Sequence, residues 1–284
     1  MRPPFTPAAT AAAAAAVAAI MAAAPAAHAA APTTETLYVA TSGGDAGNTC
    51  TAPATPCRHL YYAIHHAGTY TGDAVTVIAA AGTYTENDEI DTPAVASLTI
   101  KAVPGTVTVE GERRTHASVF TIDSSTVTFQ GLTITDGDAD RGGGINNYGG
   151  TVTLNTSTVA GNTSPRGAGI FNDGGTLTLN ATTLSRNATK YEIGEGGGIY
   201  NFGGTVTMTR SAVTDNTARY TGGGVYNGGG TMTATDSTIT DNTAASTPGS
   251  GGGIYQAPGA TTTLTRTVVA SNNPDNCAPT ELCP

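Results

Sequence analysis

Apolar and polar residues alternate in short runs along most of this chain. The run Thr-Val-Thr-Leu at 151–154 recurs with small changes at 176–179, 205–208, 231–234 and 261–264. Alternation with period two predicts strands that have one buried face and one exposed face. Glycine-rich turns separate the runs, so the pattern predicts many short strands rather than helices.

A longer repeat organises these strands. A motif of three small residues and one aliphatic residue recurs after 25, 29, 26 and 29 residues. Its five copies are Gly142–Ile145, Gly167–Ile170, Gly196–Ile199, Gly222–Val225 and Gly251–Ile254. Each unit closes with an apolar residue that precedes an Asn by three positions. The same frame extends backwards, with less glycine, through 126–134. A fixed period of this length is the signature of a repeat architecture.

One such unit cannot bury its apolar face alone, whereas stacked units can. Stacking places Ile145, Ile170 and Ile199 above one another, and each strand then pairs in parallel with its counterpart about 4.8 Å away. Parallel crossovers are right-handed. We therefore predict an all-β fold, a right-handed parallel β-helix of about eight coils.

Two columns of amides follow from the same register. The closing Asn of each unit predicts an inward-facing ladder at a bend, where each amide can bond the next one. Its members are Asn162, Asn187, Asn216, Asn242 and Asn272. A second column is expected at Asn147, Asn172, Asn201, Asn227 and Gln256.

The repeat resembles that of the polymorphic outer membrane proteins, which is marked by Gly-Gly-Ala-Ile and Phe-x-x-Asn, within the pectin-lyase-like β-helix class. The resemblance covers residues 142–272 well and the preceding coils more loosely. Here Gly replaces the Ala of the motif, and Val, Leu or Ile replaces the Phe. The resemblance implies a β-helix and, for function, adhesion.

The first 29 residues are typical of a signal peptide. Arg2 precedes an Ala-dominated apolar run over 8–24, and Ala27-His28-Ala29 is a small-x-small cleavage site. A membrane anchor is the alternative, but Ala is weakly hydrophobic and Pro25 ends the run. No later apolar stretch is long enough to span a bilayer. We expect the protein to be secreted, either free in the medium or associated with the cell surface.

The mature chain is divided into three segments. Residues 30–72 hold a first strand, a disulfide loop and a short helix over His59–Ala67 that caps the open end of the stack. The β-helix occupies 73–276, and a disulfide-closed end occupies 277–284. The four cysteines suit an oxidising destination, where disulfides form. We expect Cys50 to pair with Cys57 and Cys277 with Cys283, because each pair encloses a short local loop.

The net charge of the mature chain limits the classes of molecule that it can bind. After cleavage 11 basic and 21 acidic residues remain, a net charge of −10. An acidic chain with dispersed basic residues is a poor ligand for nucleic acid. We expect a monomer, with no cofactor, that binds an extracellular glycan or surface protein.

Catalysis is the competing hypothesis, because related β-helices host polysaccharide lyases and glycosidases. Asp136, Asp138 and Asp140 could wrap a calcium ion, with Arg141 as a lyase base. A solvated loop explains the same residues, since Asp-Gly is ordinary turn chemistry. The outward strand positions are overwhelmingly Thr, so we favour a non-catalytic protein.

Two outward ladders and the variable loops are the binding candidates. The loops carry Arg141, Arg166, Lys190 and Arg219. The aromatic ladder, which could hold sugar rings or pack on itself, is Phe171, Tyr200, Tyr226 and Tyr255. The Thr-x-Thr ladder resembles the ice-binding face of certain β-solenoid antifreeze proteins, which makes ice binding a second alternative.

Overall fold

A computed structural model describes residues 33–112, 114–191, 193–244, 247 and 249–283. The predicted signal peptide, residues 1–29, lies outside the described residues. The described residues form one compact unit.

Short strands make up nearly all of the regular structure. In chain order they are β1 (Thr34–Val39), α1 (Leu60–Ala67), β2 (Ala74–Ala79), β3 (Gly82–Thr85), β4 (Asp88–Ile90), β5 (Ser97–Ala102), β6 (Val107–Glu110), β7 (Phe120–Asp123), β8 (Thr126–Gln130), β9 (Leu132–Thr135), β10 (Ile145–Tyr148), β11 (Thr151–Asn155), β12 (Thr158–Ala160), β13 (Thr163–Ser164), β14 (Ile170–Asp173), β15 (Thr176–Asn180), β16 (Thr183–Ser185), β17 (Ala188–Thr189), β18 (Ile199–Phe202), β19 (Thr205–Thr209), β20 (Ala212–Thr214), β21 (Val225–Gly228), β22 (Thr231–Thr235), β23 (Thr238–Thr240), β24 (Ile254–Gln256), β25 (Thr261–Thr265), β26 (Val268–Ala270) and β27 (Cys277–Ala278). A 3-10 turn over Thr280–Leu282 follows.

Most of the strands form three parallel sheets that wind as a right-handed β-helix, and β13 and β17 pair in parallel as a separate two-stranded sheet. Sheet A has the order β1-β2-β5-β8-β11-β15-β19-β22-β25, sheet B runs from β3 through β6, β9, β12, β16, β20 and β23 to β26, and sheet C runs from β4 through β7, β10, β14, β18, β21 and β24 to β27. Each coil contributes one strand to sheet A, one to sheet B and one to sheet C, in that order. Sheet C has eight strands, so the β-helix has eight coils. The predicted fold class and coil number are confirmed.

The core is a stack of aliphatic columns in the predicted register. Ile145 pairs with Ile170, and Ile170 with Ile199, one coil apart. The predicted alternation of buried and exposed residues is present in β15, where Leu177 and Leu179 are buried and Thr176 is exposed. Burial of these columns is the main favourable term in the stability of the fold.

The glycine motif permits the close approach of successive coils. A Cβ on Gly198 would lie 2.6 Å from the carbonyl oxygen of Gly224 in the next coil. The first glycine of the motif takes a left-handed conformation, as Gly196 does with φ +65°. Such a conformation suits glycine because it has no Cβ. The motif is therefore a tight turn at one corner of each coil.

A helix covers the N-terminal end of the stack, as predicted. Helix α1 begins one residue later than the predicted span, after His59, and buries Leu60, Ala63, Ile64 and Ala67. It contacts β1, β2 and β4. Because β1 lies at the edge of sheet A, this packing covers apolar surface that the first coil would otherwise expose.

Both predicted disulfides are present. Cys50 is bonded to Cys57, and Cys277 to Cys283. The first closes the loop that precedes α1, and the second ties β27 to the 3-10 turn. Over the part of the chain that the structure describes, no helix is both long and apolar enough to cross a membrane.

Candidate functional site

The predicted aromatic ladder is a continuous stack on the outer side of sheet C. The ring centroids of Phe171 and Tyr200 are 5.1 Å apart, those of Tyr200 and Tyr226 4.6 Å, and those of Tyr226 and Tyr255 5.2 Å. Adjacent ring planes differ by no more than 11°. The faces of the inner rings are therefore covered by other rings. This is the geometry of mutual packing, and it leaves only the edges of the inner rings, Tyr200 and Tyr226, for a ligand.

The ladder is also more buried than an outward position suggests. Phe171 is 2% exposed and Tyr200 6%. The guanidinium carbon of Arg141 lies 5.3 Å from the ring centroid of Phe171, and that of Arg166 lies 5.9 Å from that of Tyr200. Both distances suit a cation–π contact. Two of the predicted binding arginines thus cover the two most buried rings.

A polar column runs beside the aromatic ladder. It consists of the residue that precedes each glycine motif: Arg141, Arg166, Glu195, Thr221 and Ser250. The backbone connects its members, since Gly167 N–H donates to Glu195 O and Gly196 N–H to Thr221 O, both at 3.0 Å. The left-handed glycine turn sits between the two columns, which is why they run side by side.

Burial raises the pKa values of Glu195, Tyr200 and Tyr226 in these two columns. Burial raises the pKa of Glu195, although Arg166, whose Nε lies 3.5 Å from Glu195 Oε2, opposes the shift. Burial likewise raises the pKa of Tyr226 to about 12, and Glu195 adds to the effect. The phenol of Tyr226 is therefore protonated at neutral pH and can donate a hydrogen bond.

The remaining predicted binding residues, Lys190 and Arg219, lie on two adjacent loops of successive coils. Arg219 N–H donates to Thr189 Oγ1 at 2.8 Å, and Tyr220 N–H donates to Gly194 O at 2.7 Å. These bonds fix the loops side by side. The ammonium of Lys190 is paired with the carboxylate of Asp138, two coils away.

Three exposed apolar side chains on these loops were missed by sequence reasoning. Tyr191 is 68% exposed, Ile193 62% and Tyr220 55%. Tyr191 directly follows Lys190, Tyr220 directly follows Arg219, and Ile193 lies three residues after Lys190. Aromatic residues in loops that vary between otherwise regular coils were the available signal. We call the set Lys190, Tyr191, Ile193, Arg219 and Tyr220 the tyrosine surface.

The acidic loop before the first glycine motif is spread over different environments. Asp136 takes a left-handed conformation, with φ +59°. Asp138 pairs with Lys190 and lies 3.8 Å from His116 Nδ1, and Asp140 lines a separate cavity. Among the described residues no group of three or more His, Cys, Asp or Glu side chains is placed to hold a metal ion.

The Thr-x-Thr ladder forms a regular grid on sheet A. One column of nine threonines pairs in register from coil to coil: Thr36, Thr76, Thr99, Thr128, Thr153, Thr178, Thr207, Thr233 and Thr263. A second column beside it holds Thr126, Thr151, Thr176, Thr205, Thr231 and Thr261. The outward positions of the six strands that carry both columns hold only Thr, Asn and Gln.

Comparison with known proteins identifies no relative of this chain. A scan against protein-family models, a search of curated proteins and a search of solved structures each return no match to this chain. The assignment of the fold as a β-helix of repeated coils therefore rests on the structure alone.

Proposed function

We propose that this protein is secreted and binds an extracellular polysaccharide through the tyrosine surface, without catalysis. The observation that carries the proposal is the exposure of Tyr191 and Tyr220 on two loops that hydrogen bonds hold side by side. Of the other exposed aromatic side chains, Tyr61 and Tyr62 lie on α1 and Phe202 lies in β18, whereas Tyr191 and Tyr220 are carried by two neighbouring loops.

The chemistry of the tyrosine surface suits a sugar chain. Open tyrosine faces pack against the C–H faces of pyranose rings, while the phenol hydroxyls bond sugar hydroxyls. Glu195, which follows the first loop directly and is partly exposed, adds a carboxylate at the edge of the surface. Because the two loops belong to successive coils, an extended polymer can contact both at once, which raises its affinity above that of either loop alone.

Secretion is supported by the Ala-rich leader with its cleavage site at Ala29 and by the two disulfides. The likeness of the repeat to the polymorphic outer membrane protein repeat, whose role is adhesion, agrees with a binding function at or near a cell surface. No feature of the acidic loop favours the lyase or glycosidase alternative over binding.

The test is a binding screen on the purified mature chain with immobilised cellulose, chitin, mannan, β-glucan and polygalacturonate. For any polysaccharide that binds, we expect Tyr191→Ala and Tyr220→Ala each to weaken binding roughly tenfold, because each removes an aromatic contact. Tyr61→Ala is the matched control, since Tyr61 is 56% exposed but lies on α1. No binding to any of the polymers, or equal losses in all three variants, would refute the proposal.

Ice binding is a second candidate, and the register of the Thr grid on sheet A favours it. Hydroxyls repeat at the strand spacing of about 4.8 Å between coils and about 6.7 Å along each strand. A regular, uncharged grid of this kind can order water in a lattice, whereas an irregular or charged surface cannot.

Thermal hysteresis and ice-crystal shaping measure this second activity. If the grid binds ice, Thr178→Tyr and Thr207→Tyr abolish both effects by raising a bulky ring from the grid. Thr238→Tyr is the control, because Thr238 is an exposed outward residue of β23 in sheet B. An inactive wild-type protein at millimolar concentration rejects the candidate.

A further inference from the structure

A cavity of about 340 Å³ opens where the aromatic ladder stops. Its wall on sheet C is made by outward residues of β7 and β10, and its other sides by the acidic loop and the segment near His116. The lining residues that matter here are His116, Thr121, Asp140, Arg141, Asn146 and Tyr148. The cavity has a simple structural origin. Asn146 continues the column of Phe171, and Thr121 continues it one coil further, so small side chains replace stacked rings.

One polar group in the wall lacks a partner within the chain. Asn146 is 8% exposed, and its side-chain oxygen has no hydrogen-bond partner among the described residues. A buried amide oxygen without a partner is costly, so such groups point to a water or ligand that supplies the bond. The missing partner must be a donor. Carboxylate, sulfate and phosphate oxygens cannot serve at this atom.

The other lining groups define what else a ligand must offer. Asp140 accepts hydrogen bonds and Arg141 donates them, and their opposite charges leave the cavity without a strong preference for either sign. Arg141 is held in place, because its carbonyl accepts the hydroxyl of Ser118 at 3.0 Å and its guanidinium lies over Phe171. Tyr148, whose ring meets Phe171 edge-on, adds an aromatic wall.

From this arrangement we propose that the cavity is a subsite for one neutral pyranose unit with vicinal hydroxyl groups. One hydroxyl donates to Asn146 Oδ1 and a neighbouring hydroxyl to Asp140, while Arg141 donates to a ring or hydroxyl oxygen. The apolar face of the sugar packs against Tyr148. A volume of this size accommodates a single sugar unit at the lower end of the range of small-ligand sites. The inference rests on the proposed function, since it assigns a sugar class to the same polysaccharide-binding protein.

The test uses two kinds of probe on the mature protein. The methyl glycosides of glucose, galactose and mannose report on the cavity alone, and the corresponding neutral hexasaccharides report on the cavity and the tyrosine surface together. Galacturonate is the charged comparator. We expect at least one neutral methyl glycoside to bind more tightly than galacturonate in a calorimetric or NMR titration.

Asn146→Thr is the first variant, because Thr121 already occupies the same column one coil earlier. It should weaken binding of the methyl glycoside roughly tenfold, since it removes the amide oxygen. Arg141→Gln is a second variant with the same expected direction. Asn155→Thr is the matched control on sheet A, where Asn155 lies in one column with Asn180 and Thr209. Thermal unfolding of all variants verifies that they fold.

The outcomes separate the two proposals. Binding of hexasaccharides that depends on Tyr191 and Tyr220 but not on Asn146 overturns the cavity subsite and leaves the proposed function standing. Binding of a methyl glycoside that depends on Asn146, with no gain for the hexasaccharide, supports the subsite and contradicts the tyrosine surface. Preference for galacturonate, or no binding of any probe, overturns the subsite.

Discussion

At the scale of single residues, Asp88 is the most unusual group in the interior. It faces inward from β4 at the position that Phe120 occupies in the next coil, and it is 2% exposed. Beside it, Glu86 accepts the backbone N–H groups of Leu60 and Tyr61 at 3.0 and 2.9 Å, in the first turn of α1. Burial raises the pKa of Asp88 well above its usual value, and the carboxylate of Glu86 raises it further.

This shift makes the stability of the fold depend on pH. A pKa that is higher in the folded state favours folding while the carboxyl is protonated, and the gain is lost as pH rises through the folded pKa. The contribution is complete below the reference value of 3.8. Asn is neutral at every pH, as protonated Asp88 is at low pH, so Asp88→Asn should remove the pH dependence: the variant should match the wild type near pH 4 and unfold at a higher temperature at pH 8.

Thermal melts between pH 4 and pH 8 measure the effect, with roughly 2–4 °C expected for each kcal/mol in a chain of this size. Asp241→Asn, a change at an exposed residue, is the control. Parallel pH profiles for the wild type and Asp88→Asn would show that Asp88 is not the titrating group.

At the scale of the structural element, the amide ladder fixes the corner between sheets B and C. Asn187 Nδ2 donates to Asn216 Oδ1 at 2.9 Å and to Val159 O at 3.0 Å. Its Oδ1 accepts the backbone N–H and the side-chain N–H of Asn162. The ladder continues through Asn242 to Asn272, and all but the last member are almost completely buried.

Replacing one amide of this ladder should therefore be costly. Asn187→Leu keeps the side-chain volume but leaves the N–H groups of Asn162 and the carbonyl of Val159 without partners, at a cost of about 1–3 kcal/mol. Thr178→Val, on the outward face of β15, should change stability by no more than about 0.5 kcal/mol. Denaturant unfolding compares the two. Equal, small effects would mean that the ladder does not stabilise the coils.

The elements also show how far the sequence could predict this protein. The amide and aliphatic columns were predictable because the same residue types recur in register, and a parallel β-helix places equivalent positions above one another. The burial of Phe171 was not, because it depends on Arg141 and on the ring of Tyr200 in the next coil. The contact between Lys190 and Asp138 was equally hidden, since variable loops two coils apart have no register.

The second amide column illustrates the same limit. Asn147, Asn172, Asn201 and Asn227 are hydrogen-bonded in series, at 2.7, 2.8 and 2.9 Å, as the repeat predicted. The predicted fifth member, Gln256, does not continue the series, because Asn227 Nδ2 donates instead to Thr261 O and Thr262 Oγ1. One coil earlier the column ends at Ile122, and the outward neighbour of Asn147 is Asn146, whose partner the chain does not supply. The cavity arises at this break in the repeat. The two proposed binding sites therefore lie where the periodic pattern is interrupted, and the pattern alone does not describe them.

At the scale of the whole molecule, the two ends of the stack differ. At the N-terminal end α1 packs on β1, β2 and β4 and buries four of its own side chains. At the C-terminal end Leu264 and Val269 are only partly buried, and Val268 is 55% exposed. In a solenoid each coil is stabilised by its neighbours, so a coil with one neighbour and a thin cover is the least stable.

Hydrogen exchange should therefore show a gradient along the axis rather than one uniform rate. We expect the slowest amides in β11, β15 and β19, which have coils on both sides, and the fastest sheet amides in β25 and β26. Replacing Cys277 and Cys283 with Ser should speed exchange in β25, β26 and β27 while leaving β15 unchanged, because the disulfide restrains only the last coil. Fast exchange of β1 and β2 to the same degree as β25 would contradict the assignment of α1 as a stabilising cap. Uniform slow exchange across all coils would show instead that the stack opens as one cooperative unit, and that nearest-neighbour coupling exceeds the difference between its ends.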